Sequence, residues 1–402
     1  MSEGSEVRVL HHPQFDKIDG VKKIFLGCFL FLVVLLGFLW WKFYNKKNEV
    51  LNPLSNEKTV IQKENKMKMI GFLPTYMVGK TMEYTNEIDE LIFLGIEVDE
   101  KGNLIWDYQS NKINNETYLK QKELIWKNGG KNILGIKLFE DEKLDKFINS
   151  VDAQDNLIDQ MENLIQKEKF DGINVDFEYM GTPTAILSEE IIGFLNKLKQ
   201  ADLGEVSLDV FANTIIKGNQ DSLVKIIEEI DYLIVMAYDF HRPGVDYAGS
   251  VAPIQSKVGE RNIMEVVEKI LDLQSRFDVD AKKIIMAYPL YGYEWKTYTK
   301  DFESQIKRGW YQMASWARIK EIVDGQTQGF TITSNFDELS MTPWLVFEEN
   351  GEIHQIYYEN GRSLEIKMDL VRQNQFGGVG FWALGYEGED KKMWQKLDQL
   401  FN

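Results

Sequence analysis

From residue 69 onward, short apolar runs alternate with stretches whose apolar positions recur at helical spacing. The runs are MIGFLPTYMV (69–78), LIFLGIEV (91–98), NILGIKLF (132–139), FDGINVDFEY (170–179), VSLDVFANT (206–214), YLIVMAYDFH (232–241), IIMAYPLYGY (284–293) and GGVGFWALGY (377–386). Each is too short for a core helix, is bounded by turn residues and is rich in β-branched and aromatic side chains. That is the pattern of parallel strands buried on both faces. Between them, residues 155–169 place Leu157, Ile158, Met161, Leu164 and Ile165 on one helical stripe, and residues 189–200 and 263–277 repeat the pattern. Eight strands with helical crossovers predict an α/β fold, a closed (β/α)8 TIM barrel. The rival is an open doubly wound sheet, but no GxGxxG follows the first strand.

Two stretches fall outside this alternation. About 80 residues separate Tyr293 from Gly377, too many for one crossover helix and its loops. Within them WLVFEENGEIHQIYYENG (344–361) reads as a hairpin turning at residues 349–351. A small α+β insertion between strands 7 and 8, at about residues 296–370, is therefore expected. At the other end, residues 24–41 (IFLGCFLFLVVLLGFLWW) carry no charge. As a helix they would extend roughly 27 Å, close to the hydrocarbon thickness of a bilayer. Trp40, Trp41 and Tyr44 suit the membrane interface. A cleaved signal peptide would need small residues after the run, and KFYNKKNEV supplies none. The expected order is a short cytoplasmic tail (1–23), a transmembrane helix (24–43), a Lys-, Asn- and Glu-rich linker (44–66) and the TIM-barrel domain (67–402). Basic residues flank both ends of the run, so the charge signal is nearly balanced; the short amino-terminal tail is expected inside and the large domain outside. That places the chain in the cell membrane, single-pass, with the domain extracytoplasmic.

The 402 residues carry a formal charge of −17, with 44% apolar and 27% charged residues. So acidic a chain is a poor binder of nucleic acid, whose phosphates demand Lys and Arg; a neutral substrate fits better. Cys28 is the single cysteine, which excludes an intramolecular disulfide and a Cys-rich zinc site. The histidines, at positions 11, 12, 241 and 354, are too scattered to suggest a metal centre. No metal centre is expected from these residues, and the chain is expected to act as a monomer.

The chemistry concentrates in strand four, which carries Asp171, Asn174, Asp176 and Glu178. Side chains alternate across a strand, so 174, 176 and 178 share one face, while Ile173, Val175 and Phe177 turn toward the helices. Three consecutive polar positions facing a barrel core are expensive and exceed ordinary barrel filling. Glu178 lies nearest the carboxyl end of the strand, where barrel active sites are built. Asp176 lies one inward step below. Two neighbouring carboxylates do not both ionise freely, so one should hold a proton near neutral pH.

At these residues the sequence resembles the family 18 glycoside hydrolases, which include chitinases. DGINVDFEY is similar to the DxxDxDxE signature of that family, MAYDFH (236–241) to its MxYD strand, and GGVGFWALGYE (377–387) to its last strand with a floor tryptophan. The resemblance covers residues 69–402 and includes the insertion. It implies a glycosidase acting on N-acetylglucosamine-containing polysaccharide, with chitin, peptidoglycan and N-glycan cores all open, by a retaining, substrate-assisted mechanism that needs no metal or organic cofactor and is an exception to the two-carboxylate scheme. By position, it implies Glu178 as acid and base, Asp176 as the residue orienting the substrate acetamide, and Tyr238 and Asp239 as contacts to the acetamide and distorted sugar. It places Asn174 in the catalytic row and implies Trp382 as the floor of the cleavage subsite. Tyr291, Tyr76, Met236 and Asp171 complete the substrate-binding set. The family pattern often has Asp where this chain has Asn174, which removes one charge from the row; the resemblance implies that Asn here is common in bacterial cell-wall and spore-lytic branches, and this shades the substrate toward peptidoglycan. Tyr293 stands where Arg is frequent. A carbohydrate-binding protein without catalysis on the same scaffold is the alternative, although such relatives typically lack the acid. Asp209 and Asn213 border the same cleft by parity. His241 either tunes Asp239 or is structural. Trp106, Trp126, Trp310, Trp344 and Trp394 are sugar platforms or packing residues. Asn115-Glu116-Thr117 matches a glycosylation acceptor.

Overall fold

The computed structural model describes residues 67–79, 88–324 and 331–388, together with 395 and 397. The eight apolar runs become eight parallel strands: β1 (Lys68–Pro74), β2 (Glu90–Val98), β4 (Lys131–Leu138), β5 (Gly172–Phe177), β6 (Glu205–Phe211), β7 (Tyr232–Met236), β8 (Ile284–Pro289) and β14 (Gly378–Trp382). A two-residue β3 (Leu104–Ile105) runs antiparallel to β2. Around the ring the order is β1-β2-β4-β5-β6-β7-β8-β14, and β14 pairs with β1 to close the barrel. In this ring β5 and β14 are four places apart and so face each other across the mouth.

The helices begin where short polar side chains satisfy the first free amides. Ser150 caps Val151–Glu168, Ser188 caps Glu189–Gln200 and Asn262 caps Ile263–Phe277. Asn360 and Ser363 form a reciprocal capping box ahead of Gly361–Gln373. Asn115 caps Glu116–Lys127, its side-chain oxygen accepting the amides of Thr117 and Tyr118. The outward faces of the strands bury against these helices. Phe177 joins Phe147 and Phe194 in a ring trio with centroids 5.3–5.9 Å apart, which clamps the carboxyl end of β5 between two helices. Truncating one such ring to Ala costs about 3–5 kcal/mol.

The inward faces divide the barrel in two. Ile70, Phe72, Ile92, Leu94, Ile133, Ile234, Ile285 and Ala287 form an apolar cluster on β1, β2, β4, β7 and β8. Against it, β5 and β6 contribute buried Asn174, Asp176, Ser207 and Asp209. At the amino-terminal end the barrel is closed by charge: Lys68 pairs with Glu90 and Glu205, and lies 3.7 Å from the ring centroid of Tyr232.

The run 284–293, one strand by its pattern, divides at Leu290. Its second half is β9 (Tyr291–Thr297), the start of a separate antiparallel sheet with β10 (Ile306–Ser315), β11 (Thr333–Asp337), β12 (Thr342–Glu349) and β13 (Glu352–Tyr357), ordered β10-β9-β13-β12-β11. Gly292 permits the crossing, since a Cβ there would stand 1.8 Å from the carbonyl oxygen of Tyr357. The expected hairpin is β12–β13, turning at Asn350 and Gly351. The insertion thus runs from Tyr291 to Tyr357 rather than over 296–370; helix Gly361–Gln373 already belongs to the barrel layer. The expected tail, membrane helix and linker (1–66) lie outside the described residues, among which no helix is long and apolar enough to cross a membrane.

Candidate active site

Strand β5 delivers its polar row as alternation requires. Asn174 and Asp176 are buried inside the barrel, and Glu178 follows at the rim, half-buried, its amide bonded to the Leu138 carbonyl at 3.0 Å. The β5–β6 register sets Asn174 beside Ser207. The Asn174 amide donates to Ser207 Oγ at 3.0 Å and to Asp209 Oδ1 at 2.9 Å. Asp209, two residues beyond Ser207 on the same face, thereby joins the row.

The electrostatics follow from crowding acids into a dry space. Burial, then the charge of Asp176 and a hydrogen bond with it, push Glu178 up to about 9. Burial and the charge of Asp209 hold Asp176 well above the carboxylate range, and burial does the same to Asp209. Glu178 is therefore protonated at neutral pH and accessible, whereas Asp176 and Asp209 lie beneath it, each 3% exposed.

Strand β7 continues into Tyr238 and Asp239. Tyr238 packs on the apolar cluster, and Met236 precedes it on the inward parity of Tyr232 and Ile234. Asp239 takes a left-handed backbone (φ 59°). Its Oδ1 accepts the hydroxyl of Tyr291 at 2.5 Å and that of Tyr293 at 3.3 Å. Burial raises Asp239 and these two hydroxyls oppose the rise. Tyr293 thus contributes a hydroxyl where the resemblance led one to look for an arginine. From the opposite wall, Trp382 ends β14, packs on the apolar cluster and lies 5.9 Å from the Phe72 ring. Tyr76, 47% exposed, shares a 2.6 Å hydroxyl contact with Tyr386, which in turn lies edge-on to Tyr291.

One expected residue is elsewhere. Asp171 has the outward parity of Ile173 and Val175 and precedes β5, roughly 20 Å along the chain from Glu178. Its Oδ2 accepts Trp126 Nε1 at 2.7 Å and the Asn132 amide at 2.8 Å. It ties β4 and β5 to the helical layer and does not reach a substrate at the mouth. Trp126 is accounted for by the same bond. Trp344 stacks on Tyr357 inside the insertion, while Trp106 stays 47% exposed and Trp394 lies outside the described residues. His241 is structural: its Nδ1 lies 3.0 Å from the Ser250 carbonyl oxygen, with the ring packed against Gly249. The pattern did not single out Tyr386, Ser207 or Arg242; these arrive from other strands and loops. Beside Tyr238 and Asp239 opens a cavity of about 540 Å³.

A closed parallel barrel with a protonated carboxyl at its carboxyl-terminal mouth and a tryptophan ending the opposite strand is the arrangement of a glycosidase-type site. The sequence profile of glycosyl hydrolases family 18 matches residues 59–387, and the chain belongs to that family. It is 24% identical to the glycosylase YvbX of Bacillus subtilis over 335 residues, 80% of this chain and 90% of that one. Of two further curated relatives it spans 54% and 32% of the length. Among solved structures, the Group IV chitinase of Ostrinia furnacalis in complex with allosamidin superposes with a TM-score of 0.70 at 16% identity, over 83% of this chain and 98% of that one. The spore cortex-lytic enzyme SleL of Bacillus cereus does so at 0.64 and 18%, over 84% and 75%.

Proposed function

We propose that this glycosidase cleaves β-1,4-linked N-acetylglucosamine polymers, chitin-like or peptidoglycan, with retention, and that Glu178 is its acid and base. The observation that carries the reading is Glu178 itself, held protonated at the barrel mouth above buried Asp176. In the first step Glu178 gives its proton to the glycosidic oxygen as the C1–O bond breaks. The substrate's 2-acetamido carbonyl oxygen bonds to C1, forming an oxazolinium ion, with Asp176 orienting the amide. Water then opens that ion while Glu178 takes the water's proton. The burial of Asp176 and Asp209 supports this route, because neither carboxylate is placed to attack C1 from the protein side. Trp382, Tyr238, Asp239, Tyr291, Tyr76 and Met236 shape the pocket. The two polymer choices correspond to the two kinds of relative, chitinase and spore cortex-lytic enzyme.

The test is digestion of chitooligosaccharides and purified peptidoglycan by residues 67–402 and by Glu178→Gln. The variant should keep its circular dichroism and lose turnover by at least about a thousandfold, the upper part of the usual range for acid–base catalysis. Unchanged hydrolysis would remove Glu178 from the role. Tight binding with no turnover by the unmodified chain would favour the carbohydrate-binding alternative.

The same reading takes residues 24–43 as a single-pass anchor that holds a monomeric domain outside the cell. Its support is the uncharged run and the polymeric nature of the substrate. Full-length protein should resist alkaline extraction from membranes; recovery in the supernatant would sink the anchor.

A further inference from the structure

The cavity beside Tyr238 and Asp239 has a feature that cleavage of an acetamido sugar does not use. Its wall includes Met180, Asn213, Tyr247, Arg242 and Arg261. Seven arginines fall among the described residues. Five of them, Arg276, Arg308, Arg318, Arg362 and Arg372, pair with a carboxylate. The two that pair with none among the described residues are Arg242 and Arg261, and both face this one cavity. In a chain with 63 acidic residues against 46 basic ones, such a pair runs against the general charge. Of the acids on that wall, Asp246 pairs with Arg308 at 2.7 Å and Asp239 accepts the Tyr291 hydroxyl at 2.5 Å, while Glu260 makes no ion pair with either arginine among the described residues. Arg242 also stands close enough to the reaction centre for its charge to act on Glu178 and Asp239. Asn213 Oδ1 is buried on this wall with no partner among the described residues, and as an acceptor it would meet an N–H or O–H of the ligand rather than its carboxylate. Two planar forks of N–H donors on the wall of one cavity, neither paired with a carboxylate among the described residues, match a carboxylate better than a neutral hydroxyl surface.

We infer that Arg242 and Arg261 receive a carboxylate borne by the unit adjoining the acetamido sugar under attack, so that the preferred substrate is an anionic glycan of the peptidoglycan kind rather than neutral chitin. This rests on the Glu178 reading for the position of the attacked sugar. The carboxylate is either on an acidic ether side chain of the neighbouring sugar or on a peptide attached to it. The net charge of the whole chain does not oppose this, because at physiological salt charges beyond about 8 Å are screened while a direct guanidinium contact is not.

The experiment compares four substrates of equal length: a neutral chitooligosaccharide, a peptide-free glycan with the free ether carboxylate, the same glycan with that carboxyl methyl-esterified, and a peptide-bearing glycan. The readout is the ratio of kcat/KM for each carboxylate-bearing substrate to that for the ester, in the unmodified chain and in Arg242→Gln and Arg261→Gln. A ratio of about tenfold or more, falling toward one in the variants, is expected for a charge-assisted contact. Whichever carboxylate-bearing substrate shows it identifies the source. Because both substrates meet the same variant, any change in Glu178 cancels. A ratio near one in the unmodified chain, or one unmoved by either substitution, overturns the inference. Binding of the same ligands to Glu178→Gln gives a second reading of the ratio, so loss of the catalytic assignment and loss of the carboxylate site are separable.

Discussion

Asn174 donates its amide to Asp209 Oδ1 across the β5–β6 pair at 2.9 Å, deep in the polar half of the barrel. An aspartate at this position would set two carboxyls face to face and would also lose the donation to Ser207. Asn174→Asp should therefore destabilise the fold by about 3 kcal/mol at neutral pH, from lost hydrogen bonds and like charge in a buried site. The new carboxyl would have its folded pKa raised, so its cost is small below the ordinary carboxylate range and grows as pH rises through it. The gap in melting temperature between variant and parent should narrow from pH 7 to pH 4. A gap that widens on acidification would show that Asp209 is not the neighbour that matters.

The proposed role of Glu178 as the acid makes a kinetic prediction. A general acid works only while protonated, and Glu178 is pushed up to about 9 by burial first and Asp176 second. The alkaline limb of kcat/KM should accordingly lie near pH 9, far above an ordinary glutamate. Asp176→Asn leaves the burial and removes the charge, so the limb should move to lower pH by about one unit or more while kcat falls. A limb that stays in place would assign it to another group.

How much of this was legible in the sequence depends on whether the cause is local. The eight strands could be read because buried parallel strands are continuous apolar runs, and the polar row could be read because alternation is a local rule. The same rule argues against Asp171, which is three residues from Asn174 and so on the other face, although its motif position invited a role at the mouth. The break at Leu290 has no local mark; it exists because Gly292 can pass the Tyr357 carbonyl, a contact made 65 residues away. The Asn174–Asp209 bond needs the register between two strands. The hydroxyl of Tyr293 on Asp239 needs β9 to leave the barrel, and Arg242 needs a loop path. None of these has a periodicity to betray it.

Tyr291 and Tyr293 donate to the same oxygen of Asp239, at 2.5 and 3.3 Å. The shorter bond should matter more. Tyr291→Phe removes the main opposition to burial at Asp239, so Asp239 rises further and loses its charge at neutral pH more readily. A bond to a charged acceptor corresponds to about 1.5–3 kcal/mol, so kcat/KM on chitooligosaccharides should fall at least about tenfold. Tyr293→Phe should fall less. Equal losses would mean that the two hydroxyls act on the substrate and not through Asp239.

Stability has its own sensitive point behind β8. Lys367, in helix Gly361–Gln373, and Glu359 just before the helix cap pair at 2.8 Å with both side chains essentially inaccessible. Burial lowers Lys367 and raises Glu359, so each keeps its charge only because of the other. The helix is held here as well by the hydroxyl of Tyr288, which donates to the Lys367 carbonyl at 3.4 Å. Lys367→Met would strand a carboxyl in an apolar layer, and breaking a buried pair from one side costs about 3–5 kcal/mol. Removing both charges, with Glu359→Gln added to Lys367→Met, should restore most of that loss, because the penalty belongs to the uncompensated charge and not to the missing attraction. Urea midpoints of the parent, the single variant and the double variant decide the matter. A double variant no more stable than the single would show that the pair contributes through packing of the lysine stem rather than through its charge.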